Sequence, residues 1–239
     1  MASVSRTSMP TLETIYRTLL DAYGPQGWWP LIGHQGANPT KTGAVHGYHP
    51  GDYSFPRNEE ERFEICLGAI LTQNTAWPNV EKALLNLREH GPFAPELILR
   101  MPEATLLTAI RPSGYYNAKA RKLREFSRFY TCLAGRTPTR EELLGVWGIG
   151  PETADSMRLY AFEETELVVD AYTRRILAHL RLVSEAVTYE ALKVFCADSL
   201  PTDPVVYQEF HALMVEHAKR HYRRKPYKDL LISKACEKG

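Results

Sequence analysis

Apolar residues in this chain recur at steps of three and four over most of its length. Leu12, Ile15, Tyr16, Leu19, Leu20 and Tyr23 form a first stripe, with Thr11 placed to cap its start and Gly24-Pro25 to end it. Phe63, Cys66, Leu67, Ile70 and Leu71 repeat the spacing, as do Val80, Ala83, Leu84 and Leu87 before Gly91. Leu123, Phe126, Tyr130 and Leu133 do so again before Gly135. Thr139-Arg140-Glu141-Glu142 has the form of a capping box, in which side chain and backbone at a helix start satisfy each other. Further helices are predicted over about 171–181, 188–199 and 204–222. Only Glu166–Val169 reads as extended, and it is too short to build a sheet. The pattern predicts an all-α protein without an internal repeat. Residues 33–58 depart from it. They hold five glycines and three prolines with no period, which predicts a long surface loop.

A chain of 239 residues admits one large domain or two small ones. Lys and Arg number 29 against 28 Asp and Glu, so global charge nominates no partner. Cys66, Cys132, Cys196 and Cys236 stand far apart, at neither metal nor redox spacing, and a reducing compartment is the expectation. The opening MASVSRTSM has no apolar core of the signal-peptide kind, and no stretch is long enough to span a membrane. A soluble cytoplasmic protein with no membrane partner is expected.

Charge is local instead. Arg111–Arg140 carries eight basic residues and one acid, Glu125, and Lys219–Lys228 carries six basic residues and no acid. Such runs are commonly solvated helix faces. With tyrosines among them they also suit phosphate backbones and unstacked bases.

The stretch LLGVWGIGPETAD at 143–155 joins two helical segments through Gly148-Ile149-Gly150. A helix that restarts with Pro151 at its first position turns unpaired N–H groups and a positive terminus outward, a site for an anion such as a DNA phosphate. The plain alternative is a tight helix–helix connection. Asp170 shifts the balance, because it stands 18 residues past Glu152, behind Leu167-Val168-Val169 and at the head of another helix.

Helix, Gly-Ile-Gly, Pro-Glu-Thr-Ala, helix and then Val-Val-Asp resembles the helix-hairpin-helix, Gly/Pro-rich loop and aspartate signature of the endonuclease III superfamily of DNA glycosylases, the HhH-GPD group. Leu71-Thr72-Gln73-Asn74-Thr75 resembles that family's loop after its second helix, and Ser113–Ala120 its wedge loop with the helix that follows. The likeness runs from about residue 60 to 225. It implies two all-α domains with a DNA-binding cleft between them. One is a six-helix barrel at 55–164 with the hairpin at about 139–162; the other combines 1–54 with 165–239. The implied partner is double-stranded DNA with a damaged base, bound by a monomer.

Two departures narrow the branch. Bifunctional members carry a lysine where this chain has Glu152, and only an amine can attack the sugar C1′ to form a Schiff base. The family also often holds an iron–sulfur cluster after the position of His217, but only Cys236 stands there, and one thiolate cannot hold it. No cofactor is expected beyond a structural monovalent cation on the hairpin carbonyls. Loss of both features resembles the 3-methyladenine DNA glycosylase III branch, as do Trp28-Trp29-Pro30, Leu71–Thr75 with Trp77 following, and Arg111–Asn117.

The resemblance then implies roles. Asp170 stabilises the developing sugar cation and orients water, or simply caps its helix. Trp29 and Trp77 sandwich a cationic methylated base, or pack in the core, where Trp28 is expected. Glu152 borders the base pocket. Gln73 and Tyr115 fill the hole left by a flipped base, or make ordinary loop contacts. Gly148, Gly150, Thr153 and Lys119 bind phosphate. His217 and His221, four apart, lack a third ligand, and His34, His46 and His49 lie in the long loop, so no metal site is expected. The readings left open are a glycosylase for alkylated purines, one for a mispaired or oxidised base, and a DNA-binding module without activity.

Overall fold

The computed structural model describes residues 10–40 and 46–232. Among these the chain forms eleven α-helices and no strand. They are α1 Leu12–Tyr23, α2 Glu59–Leu71, α3 Trp77–Arg88, α4 Pro95–Arg100, α5 Glu103–Ile110, α6 Tyr116–Leu133, α7 Arg140–Leu144, α8 Pro151–Ser156, α9 Ala171–His179, α10 Tyr189–Ala197 and α11 Pro204–His221. A 3₁₀ turn, Arg111–Ser113, precedes α6, and a π turn, Met157–Ala161, continues α8. The helix starts are local chemistry. Thr11, Asn58, Thr139, Asp170, Thr188 and Asp203 each accept from a first-turn N–H that has no intrahelical partner.

The chain divides into two compact units, one of residues up to Gln26 with those from Leu167 onward, the other Gly27–Glu166. In the second unit, α2 is buried from Phe63 through Leu71 and is packed by α3, α6, α8 and the π turn, as a helix apolar on every side must be. α3 packs on α5 and α4 on α6. Residues 27–40 and 46–54, read from sequence as belonging with the termini, lie in this unit, and the described part of 33–58 is not merely a surface loop. Leu31, Tyr48, His49 and Phe55 are buried. Leu31 N–H donates to Gly47 O at 3.0 Å and His49 N–H to Gly27 O at 3.1 Å, so the segment folds back on itself. Ile32 N–H reaches Glu64 of α2 at 2.6 Å. The segment's aromatic and aliphatic side chains complete the core beside α2, which decides its allegiance.

In the first unit, α1 and α9 pack on α11, whose residues Tyr207–Ala218 are all buried. Several are polar, and each polar group needs a partner. Glu209 accepts from Gln26 N–H at 2.8 Å, Glu216 pairs with Arg220 at 2.6 Å, and His217 meets Asp229 at 2.9 Å.

Candidate functional site

The hairpin is built as the sequence pattern requires. Thr139 and Glu142 form the capping box. Arg136 and the Thr139 N–H hold the exposed Glu142 carboxyl down to about 2. Ile149 N–H closes the turn onto Val146 O at 3.1 Å. Gly148 has φ +86°, and a Cβ there would lie 2.6 Å from the Lys122 stem, so backbone and packing both demand glycine. α8 begins at Gly150 with Pro151 next and no side-chain cap. Buried Asp155 takes Arg140 Nε at 2.6 Å and ties α8 to α7. Glu152 is exposed in the first turn.

Two loops meet the hairpin through α6. Gln73 Nε2 donates to Gly148 O at 3.2 Å and to Thr153 Oγ1 at 2.9 Å, while Lys122 Nζ donates to its Oε1. The Thr153 hydroxyl and the Gly148 carbonyl, expected at phosphate and at a cation, are thus engaged by Gln73. Lys119 does not serve as a phosphate ligand. It is 2% exposed, and its ammonium donates to Leu71 O at 2.7 Å, Ser113 O at 2.7 Å and Thr75 Oγ1 at 2.9 Å. Three acceptors consume its three protons. Burial, with Lys122 nearby, pulls its pKa down to about 8. Lys119 clamps the turn after α2 to the turn before α6; sequence alone showed only a lysine in a basic run. Tyr115 is the exposed member, 73% accessible at φ +47° and free to project from its loop.

The tryptophans are arranged otherwise than expected. Trp29 is buried and Trp28 half-buried, the reverse of the expected placing of Trp28 in the core. Trp29 and Trp77 touch edge to face, centroids 5.5 Å apart and planes at 82°. No parallel slot lies between them, so they do not sandwich a base as they stand. Tyr160 meets Trp29 at 5.2 Å. Gly68 admits the indole, since a Cβ there would lie 2.8 Å from Trp29 Nε1. That N–H is buried and has no hydrogen-bond partner among the described residues.

Asp170 is half-buried at the head of α9 in the other unit. Its Oδ1 accepts from Thr173 N–H at 2.7 Å and Thr173 Oγ1 at 2.9 Å. Its Oδ2 takes no hydrogen bond among the described residues. Capping therefore uses one oxygen and leaves the other for chemistry. His211 and Lys219 of α11 feel its charge; burial pushes the pKa of both down, and Asp170 opposes that. Sequence reading missed His211, Lys122 and the Asp155–Arg140 pair, and only the spacing of Lys122 three residues after Lys119 on one helix face hinted at the second.

Around His217, the position after which the family resemblance implied a cluster, the described residues place nitrogen and oxygen donors bound to one another. Asp229 Oδ2 accepts from His217 Nε2 at 2.9 Å and Tyr222 O–H at 2.7 Å, and Tyr23 O–H lies 2.9 Å from His217 Nδ1. These residues do not fit a cluster held by thiolates. Among the described residues no group of three His, Cys, Asp or Glu could hold a metal ion, and Cys236 lies outside them. No helix among them is long and apolar enough to cross a membrane.

Residues 67–201 match the family described as HhH-GPD superfamily base excision DNA repair protein. The Methanocaldococcus jannaschii protein named "Putative DNA repair glycosylase MJ1434" is 37% identical over 237 residues, 92% of this chain and 95% of its own. Endonuclease III of Thermotoga maritima is 35% identical over 173 residues, 70% of this chain and 78% of its own. Among solved structures, H. pylori 3-methyladenine DNA glycosylase bound to 1,N6-ethenoadenine aligns with TM-score 0.58 and 30% identity, covering 66% of this chain and 85% of that one. An endonuclease III–DNA covalent intermediate aligns with TM-score 0.70 at 18% identity over 91% and 90%, a likeness of fold. With its hairpin, its aspartate-capped helix and a matched region spanning both units, the chain belongs to the HhH-GPD superfamily of base excision DNA repair glycosylases.

Proposed function

We propose that the protein is a monofunctional glycosylase that flips an alkylated purine such as 3-methyladenine out of double-stranded DNA and hydrolyses its N-glycosidic bond, leaving an intact abasic site. The observation that carries this reading is Glu152, an exposed carboxylate in the first turn of α8 where bifunctional relatives place an amine. A carboxylate cannot form a Schiff base with C1′. The likeness to the H. pylori 3-methyladenine enzyme supports the substrate class.

A base methylated on a ring nitrogen is cationic and departs as a neutral molecule when the C1′–N bond breaks. The site then needs to stabilise the sugar cation and deliver water, whose oxygen bonds to C1′ while its proton passes to a base. Asp170 suits both tasks, with Oδ1 locked by Thr173 and Oδ2 open. Tyr115, exposed on its loop, suits the vacated stack, whereas Gln73 would first have to leave Gly148 and Thr153. The half-buried Trp77 offers a ring face to a cationic base, an attraction of about 0.5–2 kcal/mol. In this reading the protein acts as a monomer on cytoplasmic DNA without an iron–sulfur cluster.

A second reading, a glycosylase for an oxidised or mispaired base, draws on the 35% identity with Thermotoga maritima endonuclease III. Duplexes carrying 3-methyladenine, an oxidised pyrimidine or a mismatch separate the two by base release. The expected outcome is release from the methylated duplex, strand scission only after alkali, and no adduct on borohydride treatment. Release from the oxidised duplex with a borohydride-trapped complex overturns the proposal.

A further inference from the structure

An open pocket of about 280 Å³ runs along α9 and is also lined by Lys225 and Tyr227 of the segment after α11. Its lining begins at Ala171, the residue next to Asp170, and reaches His179, about 12 Å along the helix. Arg174, Arg175 and Lys225 bring three cations to it, against the single carboxylate of Glu185. The wall is fixed. Arg175 donates to Tyr222 O at 3.2 Å, and Tyr227 meets Tyr222 at 4.9 Å with the rings tilted by 42° and His179 edge-on at 5.3 Å. Asp229 anchors the same segment through His217 and Tyr222. The two remaining cations are uncommitted or nearly so. The Arg174 guanidinium takes no ion pair or hydrogen bond among the described residues, and Lys225 has the Glu185 carboxylate at 3.5 Å, both of these side chains being well exposed, and the Tyr227 ring centroid at 5.9 Å. Such an exposed pair contributes little and yields easily to a stronger anion.

We propose that this pocket binds one backbone phosphate of the damaged strand, adjacent to the nucleotide under attack, with Arg174 and Lys225 as its ligands. The inference rests on the DNA-processing reading above and adds a site to it. A nucleotide whose sugar faces Asp170 carries phosphates on both sides, and the pocket opens one residue along the chain from that carboxylate. Arg174 supplies a planar fork for phosphate oxygens and Lys225 a mobile point charge. Glu185 holds Lys225 over the pocket until DNA displaces it. Binding here would fix the sugar against Oδ2 of Asp170 without reading any base.

The test is binding of the full chain to an undamaged duplex across a salt series, with folding followed by thermal melts. The slope of log K against log salt should fall by about 1 in Arg174→Ala/Lys225→Ala and by less in Arg174→Ala, since the two side chains share one phosphate and a lost phosphate contact releases about one counterion fewer. Glu185→Gln should tighten binding several-fold, an opposite sign that damage to the fold would not produce. The enzyme concentration giving half-maximal base release should rise in Arg174→Ala and rise further in Arg174→Ala/Lys225→Ala. A wild-type slope in the doubly substituted protein, or weaker binding by Glu185→Gln, overturns the pocket while leaving the glycosylase reading intact. A wild-type protein that binds no duplex overturns the reading itself.

Discussion

The two helix starts that carry the candidate chemistry are finished in opposite ways. α8 begins at Gly150 with no side-chain cap on its first-turn N–H groups, beside an exposed Glu152. α9 begins at Asp170, whose Oδ1 closes the first turn through Thr173. An open start suits an anion delivered from outside. A capped start holds its own carboxylate in one orientation, and geometry of that kind is what catalysis requires of a charge. Buried carboxyls repeat the contrast between the units. Glu64 is buried against Ile32 N–H with no cation paired to it among the described residues, and burial raises its pKa to about 8. Asp229 is equally hidden, and burial alone would raise it, but His217, Tyr222 and the Ile232 N–H together carry it down to about 2.

The sharpest test of the first contrast is a pair of isosteric substitutions. Asp170→Asn keeps the cap and removes the charge, so melting should hardly change while single-turnover base release falls on the order of 10²–10⁴-fold. Glu152→Gln should leave release within a few-fold of wild type. Equal losses in the two variants would erase the distinction between the helix starts.

A smaller effect is expected from Lys119. Lys119→Met strands the acceptors at Leu71 O and Ser113 O, at a cost of about 1–3 kcal/mol in a denaturant melt. Amide exchange should rise in residues 72–76 and 113–115 ahead of α9, because the clamp lies wholly within one unit. Uniform loss across both units would show that Lys119 supports more than its two loops.

The smallest effect is in pH dependence and separates the units by sign. Glu64 keeps its proton in the folded state up to about 8, whereas the unfolded chain releases it near 4.5. Folded protein binds more protons in that window, so stability present at low pH is lost as pH rises through it. Opening free energies of α2 amides should fall by about 1 kcal/mol from pH about 6 to about 7, and Glu64→Gln should flatten the slope. Asp229 behaves oppositely. Its contribution is complete above 3.8 and is lost as pH falls toward about 2, so it adds no slope to α11 in the neutral window, where His211, its pKa pushed below 6.5 by burial, makes α11 gain stability as pH rises. A matching slope at α11 would mean that the carboxyls are not distinguished by their partners.

The sequence by itself determined most of the helices, several of their caps and the hairpin, because these depend on groups three or four residues apart, whereas the short α4 and α5 left no readable stripe. Thr11, Thr139 and Asp170 cap where the pattern places them, and Gly148 turns where the paired glycines stand. It also carried the signature by which the family is recognised, and the open oxygen of Asp170 is compatible with both of the roles its position suggested. Only the tertiary structure decided what met what across the chain. Lys119 reaches Leu71 across 48 residues, and Gln73 reaches Gly148 across 75. A basic residue in a basic run thereby became a buried clamp, and a residue expected to fill an emptied stack became a strut of the hairpin. Trp29 and Trp77 share composition with a stacking pair, but the angle between their planes follows from how Gly68 lets one indole lie against α2. Residues 27–54 carry no period, so their allegiance was set by Ile32 meeting Glu64 and by aromatics that only the folded core could receive. Local hydrogen bonding repeats along the chain and leaves a pattern in it, whereas long-range burial is settled by partners that sequence order does not bring together.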